Sequence, residues 1–89
     1  MNIEISRAFV KDVEPLPKHS KRIILSVINE IKSANMPFDI MECSKLKGVE
    51  DLYRIRRGIY RITFHFYGSF VVLKRVLARG QIYKKHNIR

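Results

Sequence analysis

The sequence predicts an α+β fold in which two helices near the N-terminus pack on a small, mainly antiparallel sheet. Three observations predict it. Ile24, Val27, Ile28 and Ile31 recur at the three- and four-residue spacing of a helix that buries one side. The stretches LYRIR, YRITFHFY and FVVLKRVL are rich in aromatic and β-branched residues and are separated by RG and GS, which suit short hairpin connections. Eighty-nine residues fit one small domain, residues 1–89, with aliphatic and aromatic content sufficient for a core.

In chain order, NIEIS alternates as a short strand does, and Ser6 stands where it can cap a helical turn through RAFVKDV. PLP interrupts that turn. Pro17 suits the first turn of the second helix, whose apolar stripe is assigned to the core. Its end is expected near SANMP, with Asn35 in a left-handed cap and Pro37 blocking continuation. FDIMECSKLKGVED lacks a clean period and reads as a connector holding a short strand or turn before Gly48. The three strands follow, and the first strand is expected to join them at an edge or beside the middle.

Charge narrows the function. The formal net charge is +10. Up to Ser44, six basic residues (Arg7, Lys11, Lys18, Lys21, Arg22, Lys32) balance six acidic ones (Glu4, Asp12, Glu14, Glu30, Asp39, Glu42). From Lys45 on, twelve basic residues face only Glu50 and Asp51, so the whole excess lies there. That concentration favours a polyanionic partner, and nucleic acid over a membrane surface because no basic amphipathic helix accompanies it. Cys43 is the single cysteine and has no internal disulfide partner. The N-terminus lacks the basic head and apolar run of a secretory signal, and no apolar stretch reaches membrane-spanning length. A cytoplasmic protein is the expectation, and nothing has metal-ligand spacing.

YRIRRGIYRITFHF raises the sharpest question, because it sets four arginines within two strands. A two-residue turn at Arg57–Gly58 would pair Arg56 with Ile59, Ile55 with Tyr60, Arg54 with Arg61 and Tyr53 with Ile62. One face then carries Tyr53, Ile55, Tyr60, Ile62 and Phe64 for the core. The other carries Arg54, Arg56, Arg61, Thr63 and His65. Directly opposed arginines destabilise a sheet by up to about 1 kcal/mol. Phosphates lying across that face would turn repulsion into attraction, since a guanidinium offers a planar fork to two oxygens. A longer loop would change the pairs and keep the alternation. KRVLARGQIYKKH forms a second basic cluster, with Lys74, Arg75 and Arg79 before Tyr83, Lys84 and Lys85; a ring among cations suits base stacking beside held phosphates.

FVKDVEPLP before the helix, KLKGVEDLYRIRRGIYRI and RVLARGQIY together resemble the RelE branch of the RelE/ParE toxin superfamily, especially its short archaeal members, over nearly the whole chain. The resemblance implies two N-terminal helices on a mainly antiparallel sheet. It also implies a ribosome-dependent endoribonuclease that enters the A site and cuts mRNA without a metal or other cofactor, held inactive by a cognate RelB-like antitoxin. Arg54 and Arg56 fall where bacterial members carry lysines, Arg61 matches the family arginine, Lys47 a basic position before Gly48, and Tyr83 the C-terminal tyrosine.

On that implication Arg61 and Arg79 stabilise developing charge, Arg54 and Arg56 orient the scissile phosphate, and Tyr83 stacks on or orients a base. Lys45, Lys47, Arg57, Lys74, Arg75, Lys84 and Lys85 are expected to contact RNA. A guanidinium does not readily accept a proton, so the general base stays open among Lys47, Lys45, the ribosome and His65. Two other readings stand beside this one: a ParE-like gyrase inhibitor, and a catalytically weak toxin that only binds RNA or an antitoxin.

Overall fold

The computed structural model describes residues 1–78. Element order is β1 (Asn2–Ile5), α1 (Arg7–Val13), α2 (Lys18–Ser33), a short 3-10 turn (Pro37–Asp39), β2 (Cys43–Lys45), β3 (Leu52–Arg57), β4 (Tyr60–Phe66) and β5 (Phe70–Ala78). The five strands form one sheet in the order β1-β5-β4-β3-β2, antiparallel throughout except that edge strand β1 runs parallel to β5. The two helices precede four of the five strands, as the sequence indicated.

Ser6 ends β1 and starts α1. Its Oγ accepts from the Phe9 amide at 3.1 Å and donates to the Lys74 carbonyl at 3.1 Å, so the cap also fastens the helix to β5. Pro17 is the residue immediately before α2, and the Lys21 amide donates to its carbonyl. Ile24, Val27 and Ile31 of α2 are buried against Phe9 and the sheet residues Tyr53, Ile55, Tyr60, Ile62, Phe64, Val71, Leu73 and Val76. Tyr53 and Phe64 are direct strand partners, and their rings stack at 5.6 Å. Tyr60 places its hydroxyl on the buried Ser20 at 2.6 Å, satisfying both polar groups.

The C-terminus of α2 departs from the expectation for Asn35. Positive φ occurs at Glu42 and Asp51 among non-glycine residues, not at Asn35, and the capping residue Ala34 is extended. The helix instead meets the Met1 ammonium, which donates to the carbonyls of Ile31, Lys32 and Ala34 at 3.3, 2.9 and 2.8 Å. A cation there satisfies open carbonyls and complements the helix dipole, so a left-handed residue is unnecessary.

The β3–β4 hairpin also differs from the expected register. The loop is Gly58–Ile59, closed by the pair Arg57 and Tyr60. Gly58 takes φ 58° and Ile59 does not take a positive φ, the sign pattern of a II′ turn; a loop at Arg57–Gly58 puts the first central position on an arginine instead. The slip moves each partner by two residues, so every side chain keeps its face. Arg56 now opposes Arg61, and Arg54 opposes Thr63.

Between β4 and β5 the register shifts at Thr63/Phe64, leaving Lys74 as the extra residue. Leu73 and Val76 can therefore both face the core although they are three residues apart. No helix among the described residues is long and apolar enough to cross a membrane.

Candidate functional site

Among the described residues the helices pack on one face of the sheet and no element covers the other. On β3 and β4 the alternation puts Arg54, Arg56, Arg61, Thr63 and His65 on the open side, because their neighbours Tyr53, Ile55, Tyr60, Ile62 and Phe64 are buried in the core. The expected arginine row is thus assembled at the hairpin end of the sheet.

The electrostatics of that row are unbalanced. Among the described residues two side-chain ion pairs occur, and neither involves an arginine of that row. Arg57 shares the helix side with its partner Tyr60 and gives Nη2 to both carboxylate oxygens of Glu30 at 2.8 Å. Arg75 grips Asp12 of α1 through Nε at 2.7 Å and Nη2 at 3.0 Å, and that hydrogen bond pushes its already high pKa further up against the cost of burial.

Arg54, Arg56 and Arg61 have no carboxylate partner among the described residues. Arg61 rests Nη1 on the carbonyls of Gly58 and Tyr60 at 3.2 and 3.0 Å, which orients its guanidinium without neutralising it. Arg54 Nε is shielded from solvent and has no hydrogen-bond partner among the described residues.

The other candidates fall elsewhere. Ser44, not Lys45, opposes Arg54; Lys45 pairs with Tyr53 and is exposed on the opposite alternation. Lys47 lies in the exposed turn before Gly48. Lys74 is the bulge residue of β5. His65 shares the open face with the arginines and stacks on Tyr67 at 5.8 Å. Arg79, Tyr83, Lys84 and Lys85 lie outside the described residues.

Sequence reasoning missed Asp12 and Glu30, the carboxylates that decide which arginines stay unpaired. It also missed the ring succession His65, Tyr67 and Phe70. The only signal for the rings was HFY at the end of β4, where positions two apart share a face. Among the described residues no group of three or more His, Cys, Asp or Glu is placed to hold a metal.

No protein-family model matches the chain. It is 36% identical over 84 residues to the toxin RelE3 of Methanocaldococcus jannaschii, spanning 93% of this chain and 96% of that one. Its structure superposes on the RelB-RelE antitoxin-toxin complex from Methanococcus jannaschii with TM-score 0.79 and 33% identity, covering 91% of this chain and 95% of the other. The archaeal RelE-RelB complex from Pyrococcus horikoshii gives 0.71 and 26%, covering 90% and 96%. The isolated E. coli RelE toxin shares the fold, with TM-score 0.65 at 17% identity over 99% of this chain and 96% of that one. With the relationship carried over almost the full length in both sequence and structure, this chain belongs to the RelE toxin family.

Proposed function

We propose that the chain is the toxin of a type II toxin–antitoxin pair: a cytoplasmic, ribosome-dependent endoribonuclease that cuts mRNA in the A site and is silenced by a cognate RelB-like antitoxin. Family membership supports the toxin assignment, and the RelB-bound relatives support the partner. The observation that carries the chemistry is the row of Arg54, Arg56 and Arg61, none of them held by a carboxylate among the described residues.

In this reading a ribose 2′-hydroxyl attacks the adjacent phosphorus. The 2′-O–P bond forms as the P–O5′ bond breaks, the 2′-hydroxyl proton passing to a base and the departing 5′-oxygen taking one from solvent, giving a cyclic phosphate and a free 5′-hydroxyl. Arg54 and Arg56 hold the phosphate in line, and Arg61 meets the charge that develops on its oxygens. Arg79 is assigned to the same charge and Tyr83 to base stacking, both from the family match. Lys45 lies on the other alternation, and His65 sits four residues from Arg61, about 14 Å along the strand. That removes Lys45 and His65 as proton acceptors and leaves Lys47 and the ribosome.

The test is cleavage of mRNA on translating ribosomes, mapped by primer extension, with wild type and Arg61→Ala. Codon-positioned cuts by wild type and a roughly 100-fold loss in the variant are expected. Undiminished cutting by a folded Arg61→Ala removes that residue from the chemistry. Intact mRNA together with DNA damage would establish the gyrase-inhibitor reading instead.

A further inference from the structure

We propose that His65, Tyr67 and Phe70 form a stacking platform for unpaired RNA bases, extending the arginine row into a track for a single strand; this rests on the RNA-cleavage reading above. Arg61, Thr63 and His65 succeed one another on the open side of β4, and the stacked rings of His65 and Tyr67 continue that line. The arginines hold one end and the rings the other, about 14 Å from Arg61 to His65 at the rise of a strand, within reach of a few unstacked nucleotides.

These rings are outside the core. Core aromatic packing uses Tyr53 and Phe64 on the other face. Tyr67 is 50% exposed, yet it is held firmly: His65 stacks on it at 5.8 Å and Phe70 leans on it at 5.2 Å. The hairpin beneath is tied by Tyr67 N to Phe70 O and Ser69 N to Tyr67 O, both at 2.9 Å, with Gly68 at φ 80° making the reversal. Leu52 and Val72 flank His65 as its strand partners and give the row an apolar floor. A pre-set, half-exposed ring beside unpaired guanidiniums is the combination that binds single-stranded RNA without reading its sequence: bases use the rings and phosphates use the cations.

The experiment measures binding of the full chain to a fluorescein-labelled 2′-O-methyl oligouridine, which it cannot cut, and to an abasic oligomer of equal length. Tyr67→Ala is expected to weaken oligouridine binding roughly tenfold and to leave abasic binding and the salt dependence unchanged, with Tyr67→Phe restoring wild-type affinity. Tyr67→Leu keeps apolar bulk without a π-face and gives the same loss, which guards against an unfolded alanine variant. Equal affinity across the four proteins, or equal binding of uridine and abasic strands, overturns the platform. Normal RNA binding combined with weakened antitoxin binding overturns it too and marks the rings as a protein-docking surface. Ribosome cleavage by wild type is scored separately. Its absence beside a Tyr67-dependent preference for bases sinks the RNA-cleavage reading and leaves the platform standing.

Discussion

Arg56 and Arg61 meet across the hairpin with no carboxylate between them among the described residues. Repulsion at a directly opposed pair costs up to about 1 kcal/mol, so Arg56→Thr should stabilise the fold by about 0.5 kcal/mol in urea denaturation while weakening RNA binding. A gain in both properties would mean that the row does not hold phosphate. Cys43 illustrates the opposite influence on a side chain. Burial pushes its thiol up from 9.0 to about 11, outweighing the pull of Arg57 toward the thiolate. The folded chain therefore favours the protonated thiol. As pH rises through about 9 the unfolded chain ionises first, and the stability held below that point is lost progressively toward pH 11. Native Cys43 should react with iodoacetamide at pH 8 more slowly than the urea-unfolded chain, and its measured reaction pKa should lie near 11.

At the scale of elements, α1 acts as a clasp on the edge of β5. Pairing with β1 stops at Leu73, and beyond it Asp12 accepts from the Val76 amide at 2.9 Å while also holding Arg75. One carboxylate thus closes an exposed strand edge and retires a cation from the basic surface. Asp12→Ala should destabilise the protein by about 2 kcal/mol, a fall in Tm of roughly 10 °C by calorimetry, since it leaves a strand amide and a guanidinium without their acceptor. None of this clasp was legible in the sequence, because Asp12 and Arg75 are 63 residues apart and neither position departs from a local pattern. The strands of YRIRRGIYRITFHF were legible because period-two alternation survives a slip of two residues. The slip itself was not, since it depends on which residue takes the positive φ.

For the whole molecule, formal charge overstates the surface available to a polyanion. The three arginines of the row were readable from alternation, but Arg57 looked equivalent until Glu30, 27 residues away, was found beside it. Counting cations along a chain cannot reveal which ones the fold has already neutralised. The difference is measurable through counterion release: Arg54→Ala should reduce the slope of log affinity against log salt by about 0.7, and Arg57→Ala should leave it near the wild-type value. Equal reductions would mean that Glu30 releases Arg57 when RNA binds.

The strand order adds a constraint in time. The last described strand, β5, lies inside the sheet, between β4 and the first strand, β1. A growing chain therefore holds β1 without its partner until Phe70–Leu73 have left the ribosome, and neither α1's clasp nor the full open face can form earlier. A chain that stops short of β5 leaves β1 and the outer edge of β4 without their partner, so the sheet that carries the arginine row is completed only when β5 is made.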